Sequence, residues 1–206
     1  MSTPRKVAIL IFEEVEVLDF AGTFEVFAVS RDPEDRSKPL FNVYTVAEKA
    51  EPVSARNGLS VNPAYSIADC PTPDILVVPG GRGTRTLQYN QNILDWIKAQ
   101  NSSAEMVLSV CTGALVIGRA GLLDGLAATT YHTAFEELQA AAPTVTLRPG
   151  ERFVDNGRIV TSAGVSAGID MALYIVGKLH GKAQAQWTAN YMEYEHWREE
   201  FAAALR

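Results

Sequence analysis

Cysteine, histidine and basic residues are scarce in this sequence. It holds two cysteines and three histidines among 206 residues, and its net charge is −6. No disulfide framework and no zinc spacing is present, so we expect no metal and no other cofactor. Because no basic stripe could neutralise phosphates, we also expect no nucleic-acid partner.

Long hydrophobic runs are missing as well. The apolar stretch VAILIF at 7–12 is far too short for a membrane span, and no signal-peptide pattern accompanies it. We therefore expect a cytoplasmic protein that has no membrane partner and acts on a small-molecule substrate. No repeat and no Pro-, Gly- or Ser-rich linker divides the chain, so residues 1–206 are predicted to form a single domain.

Short apolar runs alternate with segments of helical periodicity. Strands are predicted at 6–12, 41–47, 74–81 and 105–110, and helices at 18–30, 86–100, 112–125, 164–181 and in the last stretch, which ends in WREEFAAALR. Residues 152–163 predict a hairpin around an Asp-Asn-Gly turn, and 31–39 a surface loop. This alternation predicts an α/β domain built on a mainly parallel sheet, with reactive groups at the carboxyl ends of the strands.

Cys111 lies where a predicted central strand meets a helix of small residues, in VLSVCTGALVIG. Such a turn exposes a side chain above the sheet, as in a nucleophile elbow. The helix N-terminus favours negative charge, so we expect a lowered thiol pKa. Thr112 and Gly113 are small enough for a substrate to approach, and the Thr112 N–H is predicted to bind a developing anion. The alternative is a small core cysteine; for Cys70, in a loop, we expect no function.

Two further loops are predicted to reach the same edge of the sheet. Gly80 and Gly81 follow the preceding strand, and the Gly81 N–H is a candidate second anion donor, although the pair also suits a simple tight turn. Arg82, next in the chain, either reaches an anionic substrate or is solvated.

The loop after the first strand carries four carboxylates, of which Asp19 stands out. It lies between Leu18 and Phe20 at a predicted helix start. A carboxyl group in an apolar pocket has a raised pKa and can exchange protons near neutrality. The alternative is a helix N-cap.

Three blocks of sequence resemble the ThiJ/PfpI superfamily. They are VVPGG, SVCTGALVIGRAGLLDGLAATTYH and NGRIVTSAGVSAGIDMALYIV, and the likeness covers nearly the whole chain. The resemblance implies a flavodoxin-like three-layer sandwich, the class I glutamine-amidotransferase-like fold, and a homodimer. An apolar face with Phe24, Val26 and Phe27 is compatible with that dimer, but also with a core. Members include proteases, glyoxalases, chaperones, isonitrile hydratases and sensor domains.

Two motifs narrow the activity that the resemblance implies. VLDFAG and SVCTG are similar to the corresponding motifs of isonitrile hydratases, whereas protease-like members have a histidine directly after the cysteine. The resemblance implies that Cys111 is the nucleophile, Asp19 the acid and base, and Thr112 a pocket hydroxyl. The expected reaction converts an isonitrile to an N-substituted formamide through a thioimidate.

Other resemblances leave two alternatives open. Glyoxalase and deglycase members place a glutamate before the first helix, which Glu16 matches by spacing, so hydration of 2-oxoaldehydes is one alternative. The cysteine blocks are also similar to sensor domains of AraC-type regulators, so redox or ligand sensing is the other. The chain stops at Arg206 without a DNA-binding domain, which favours a stand-alone enzyme. His132 is a further candidate at the site, displaced by one place from the Thr-Thr-His-Trp of relatives.

Overall fold

A computed structural model describes residues 3–197 of the chain. Its strands are β1 Arg5–Leu10, β2 Phe41–Ala47, β3 Val53–Ser54, β4 Ser60–Val61, β5 Tyr65–Ser66, β6 Ile75–Val78, β7 Met106–Val110, β8 Ala127–Ala128, β9 Thr146–Leu147, β10 Phe153–Asp155 and β11 Ile159–Ser162. Its α-helices are α1 Val17–Val29, α2 Thr84–Leu87, α3 Gln91–Ser103, α4 Gly113–Arg119, α5 Phe135–Ala141, α6 Ala167–His180 and α7 Lys182–Tyr191. A 3₁₀ turn spans Arg56–Gly58.

Seven strands form one sheet in the order β10-β11-β7-β6-β1-β2-β5. Every neighbouring pair in this sheet is parallel except β10 and β11, which form the predicted hairpin. Helices α1, α6 and α7 pack against one another, and α4 packs against α2, α3 and α5. The protein is therefore an α/β, flavodoxin-like sandwich, as the sequence predicts.

Buried apolar strands form the centre of this sandwich. Strands β6 and β7 are buried along their whole length, as are the last four residues of β1. Strands buried on both faces read as continuous runs of Val, Ile and Leu, which is why the sequence shows no alternation there. The carboxyl ends of these strands lie side by side, and the functional site forms at this edge.

Several predicted helices differ from the observed ones at identifiable residues. The helix predicted at 86–100 is two helices, because Asn90 interrupts it and accepts the Ile93 N–H at 3.4 Å as an N-cap. The helix predicted at 112–125 ends at Arg119, and Gly121 then takes a φ of +81°. The helix predicted through the end of the chain is observed over α7, and 198–206 lie outside the described residues.

The apolar face predicted to support a dimer belongs largely to the core. Val26 and Phe27 are fully buried within the chain, and Phe24 is half-buried. The side chains of Val26 and Phe27 pack inward because α1 lies against the sheet and α6. The homodimer itself stays a prediction. Within residues 3–197, no helix has the length and apolarity needed to cross a membrane.

Candidate active site

Cys111 forms the predicted elbow between β7 and α4. Its φ of 56° is unusual for a residue with a side chain, and its neighbours hold it there. The Cys111 N–H donates to the Ser162 carbonyl at 3.1 Å, and the Thr130 hydroxyl donates to the Cys111 carbonyl at 2.8 Å. The cysteine is only 5% exposed. The elbow therefore presents a thiol that is nearly enclosed.

Three glycines allow the backbone to close around this thiol. A Cβ on Gly80 would lie 2.6 Å from the Thr112 nitrogen and 2.8 Å from Cys111 Cβ. A Cβ on Gly164 would lie 2.6 Å from Cys111 Sγ. A Cβ on Gly113 would clash with the carbonyl oxygen of Val78, so its lack of a side chain also serves the packing of α4 onto β6. That Gly113 admits a substrate stays a prediction.

Asp19 lies beside the elbow, fully buried in the first turn of α1. Its Oδ2 accepts the Gly80 N–H at 2.9 Å. Its Oδ1 is buried and has no hydrogen-bond partner of good geometry among the described residues. Burial, helped by the negative charge of Glu16, raises the Asp19 pKa from 3.8 to about 7. The predicted raised pKa is confirmed. The N-cap position belongs to Glu16, so the alternative for Asp19 is wrong.

The acidity of Cys111 differs from the prediction. Burial and the neighbouring Asp19 raise the thiol pKa from 9.0 to about 12, although hydrogen bonds from the Thr112 backbone and hydroxyl act to lower it. The sulfur does lie at a helix N-terminus, but loss of hydration outweighs that effect. At neutral pH the pair therefore holds a protonated thiol next to a carboxyl group that titrates near neutrality.

Threonine hydroxyls connect the elbow to the loop after β6. The Gly81 N–H donates to Thr112 Oγ1 at 3.0 Å, so it is engaged and does not form the predicted second anion donor. The buried Thr84 hydroxyl lies 3.1 Å from Thr112 Oγ1 and 2.8 Å from the Gly81 carbonyl oxygen. The single Thr112 hydroxyl proton is shared between the Gly81 carbonyl oxygen, 3.2 Å from Thr112 Oγ1, and Cys111 Sγ. Sequence reasoning missed Thr84, which no motif marks.

A cavity of about 490 Å³ opens over the thiol. It is lined by Glu16, Arg56, Gly81, Arg82, Arg85, Cys111, Thr112, Tyr131 and Val165. The structure thus brings Glu16, Gly81 and Thr112 together with Cys111, as predicted. Glu16 forms an ion pair with Arg56 at 3.5 Å, and Asp19 is the carboxyl group that interacts with the thiol.

His132 does not join this cavity. It is exposed, and its ring packs against Tyr131 at 4.3 Å between centroids. Thr129 and Thr130 are buried next to β11 and the elbow, and the chain then leaves the core, so that Tyr131 and not His132 faces the thiol. The candidate role of His132 is wrong for this reason.

The residues that the structure adds to the site come from distant parts of the sequence. Tyr131, Arg56 and Arg85 line the cavity, and Gly164 contacts the sulfur. The one-place shift in the Thr-Thr-Tyr-His stretch was the only signal for Tyr131. Across residues 3–197, no group of three His, Cys, Asp or Glu side chains could hold a metal ion.

Comparison with known proteins identifies a family model and several relatives that match this chain. The model of the DJ-1/PfpI family matches residues 5–178. An isonitrile hydratase of Pseudomonas putida is 36% identical over 189 residues, which cover 92% of this chain and 78% of that protein. The HTH-type transcriptional regulator GbdR of Pseudomonas aeruginosa is 26% identical over 96% of this chain, which spans only 53% of the regulator.

Solved structures show the same fold. A ThiJ/PfpI family protein from Pseudomonas syringae superposes with a TM-score of 0.84 at 26% identity, covering 98% of this chain and 84% of that one. An AraC family transcriptional regulator from Pseudomonas putida gives 0.75 at 20% identity, over 92% of this chain and 100% of the other. With the elbow, the sheet order and the match over 5–178 in agreement, this chain belongs to the DJ-1/PfpI family.

Proposed function

We propose that this protein hydrates isonitriles, converting R–NC and water to the formamide R–NH–CHO with Cys111 as the nucleophile. The observation that carries the proposal is the pairing of Cys111 with buried Asp19, whose pKa of about 7 suits proton transfer at neutral pH. The 36% identity to an isonitrile hydratase supports the choice of substrate class.

In the first step, the thiol adds to the terminal isonitrile carbon. Because the thiol pKa is raised to about 12, little free thiolate exists at rest. Asp19 therefore takes the sulfur proton while the S–C bond forms, and returns that proton to the isonitrile carbon. The product is a thioimidate, R–N=CH–S–Cys111. The Thr112 hydroxyl stabilises the charge that develops on sulfur.

In the second step, water adds to the thioimidate carbon. Asp19, again ionised, removes a proton from the water, and a proton is placed on the substrate nitrogen. The C–S bond then breaks, the sulfur recovers a proton, and R–NH–CHO leaves. Asp19 Oδ1 is buried and has no hydrogen-bond partner among the described residues, so in this step we propose that the carboxyl group reaches the water as the substrate occupies the site. The sum is addition of one water, with no oxidant or cofactor needed.

The other two readings fit the geometry less well. A glyoxalase-type reaction would use Glu16 as the base. Glu16 lines the same cavity as Cys111, but its carboxylate is paired with Arg56, and Asp19 is the carboxyl group that interacts with the thiol. A redox sensor needs an acidic thiol, and burial opposes that at Cys111. Because one relative is a transcriptional regulator, sensing remains the alternative function, and the experiment below also tests it.

The test is formamide formation from a small alkyl isonitrile, followed with the wild type, Cys111→Ala and Cys70→Ala. We expect turnover in the wild type and in Cys70→Ala, and none in Cys111→Ala. Full turnover in Cys111→Ala would overturn the mechanism. No turnover in the wild type would overturn the proposed function, and methylglyoxal and mild peroxide would then test the two alternatives.

A further inference from the structure

Positively charged side chains dominate the wall of the Cys111 cavity. Arg56, Arg82 and Arg85 line it together with a single carboxylate, that of Glu16. Arginine presents a planar fork of donors that matches a carboxylate or another oxyanion. The charges of such a wall select the substrate only if carboxylates of the protein do not already neutralise them.

Two of the three arginines are neutralised by the protein. Arg56 faces Glu16 at 3.5 Å. Arg85 forms a two-pronged pair with Glu137, with Nε to Oε2 at 2.8 Å and Nη2 to Oε1 at 2.7 Å. These two guanidinium groups therefore have their carboxylate partners already in place.

Arg82 differs from both. It is exposed, and its guanidinium group has no ion-pair or hydrogen-bond partner within residues 3–197. Its backbone is nevertheless held firmly, because the N–H of Gly81 is bonded to Thr112 and Gly83 packs against the carbonyl of Glu13. The backbone that carries this guanidinium group is therefore fixed, and it directly follows Gly81, which is bonded to Thr112 beside the nucleophile.

The charge of Arg82 is not among the causes of the raised pKa of the Cys111 thiol. The Cys111 pKa is set by burial of the thiol and by its interactions with Asp19 and Thr112. Arg82 also borders a second cavity with Glu13, Glu14 and other carboxylates on its rim, yet it forms an ion pair with none of those described. Arg82 is therefore available to a ligand in the Cys111 cavity.

We propose that this site selects isonitriles that carry a carboxylate, which pairs with Arg82 while the isonitrile carbon meets Cys111. The inference rests on the proposed function and names its substrate class. A cavity of about 490 Å³ suits a small molecule whose two ends contact opposite walls. With isocyanoacetate, addition of one water gives N-formylglycinate, and the carboxylate is unchanged by the reaction.

Two probes isolate the carboxylate. Isocyanoacetate and its methyl ester share the same reacting carbon and differ in charge, so the ratio of their kcat/KM values measures anion selection. We expect this ratio to fall about tenfold in Arg82→Gln, mainly through the KM of isocyanoacetate. Lys49→Gln removes an equal charge from the rim of the second cavity and keeps the wild-type ratio.

A second variant tests the charge argument in the opposite direction. Glu137→Gln releases Arg85 from its pair, so the ratio should rise above that of the wild type. An unchanged ratio in Arg82→Gln, or an equal fall in Lys49→Gln, overturns the inference while turnover of the ester leaves the proposed function intact. If the wild type hydrates neither probe nor a simple alkyl isonitrile, the proposed function and this inference both fail.

Discussion

The two cysteines of this chain share the direction of their pKa shifts and differ in what surrounds them. Burial raises the thiol pKa of both Cys70 and Cys111. Cys111, however, lies on a strained elbow beside Asp19, whereas Cys70 lies on a half-buried loop after β5, bonded through its N–H to the Ser66 carbonyl. The difference suggests that a proton acceptor, rather than an acidic thiol, equips Cys111 for chemistry.

The largest effect that we expect is the contrast between the two alanine variants. Cys111→Ala removes the atom that bonds to the substrate, so formamide formation should fall to background. Cys70→Ala should keep turnover within about twofold, since a half-buried loop side chain is lost at small cost. Mass spectrometry during turnover should show the thioimidate on Cys111. An adduct on Cys70 instead would show that Cys70, and not Cys111, is the nucleophile.

Asp19→Asn separates proton transfer from thiol acidity. We expect turnover to fall by about 10²–10⁴-fold, the usual contribution of a general acid or base. The Cys111 pKa should nevertheless fall, because the negative charge that raises it is gone. Thiolate absorbance, measured in a Cys70→Ala background, gives this pKa directly. A variant with a more acidic thiol and unimpaired turnover would show that acidity alone is sufficient.

The pH dependence of the rate should report the same carboxyl group. Asp19 must be ionised to accept the thiol proton, and its pKa is raised to about 7. We therefore expect kcat/KM of the wild type to rise with pH through about 7. Asp19→Asn should lack this rise, and a flat wild-type profile between pH 5 and 9 would contradict the assignment.

Asp19 should also destabilise the fold at neutral pH. Its pKa is about 7 in the folded chain and near 3.8 when unfolded, so the folded state holds the proton more tightly. The stability contributed by protonated Asp19 is complete below pH about 4 and is lost as pH rises through 7. Asp19→Asn should thus raise the free energy of unfolding at pH 8 by on the order of 2–4 kcal/mol, and much less at pH 4. Denaturant unfolding at both pH values checks this.

The smallest effect concerns Thr84, which acts on the sulfur only through Thr112. Thr84→Val keeps the shape but removes the donor 2.8 Å from the Gly81 carbonyl oxygen, which also accepts from Thr112 Oγ1 at 3.2 Å and from Arg85 Nη1 at 3.3 Å. With that donor gone, the Thr112 hydroxyl should donate more to the Gly81 carbonyl and less to Cys111 Sγ. We expect the thiol pKa to rise and turnover to fall by about three- to tenfold, with recovery in Thr84→Ser. Equal loss in both variants would indicate packing alone.

Local sequence pattern predicted those features that depend on neighbouring residues. The strand at 41–47 matches β2 residue for residue, and the hairpin turns where the Asp-Asn-Gly signal lies. The elbow and the burial of Asp19 were also predicted, since apolar neighbours and a strand-to-helix junction are visible in short windows.

The features that the sequence did not predict depend on distant contacts. The thiol pKa reflects burial by segments such as Gly164 and the charge of Asp19, far from Cys111 along the chain. The Gly81 N–H is engaged because Thr112 happens to reach it. Likewise, pairing of Arg56 with Glu16 and of Arg85 with Glu137 leaves Arg82 as the cavity arginine without a carboxylate partner among residues 3–197, which no spacing rule reveals.

The close approach of Gly80 and Gly113 to the elbow has an evolutionary consequence. A side chain at either glycine would clash with atoms of the β6 loop, of α1 or of the elbow, so this frame disfavours substitution at both positions. The outward positions, such as Arg82 and Tyr131, contribute side chains to the cavity without supporting that frame. Substitutions at these outward positions can therefore change what the cavity binds while the spacing around the nucleophile is kept.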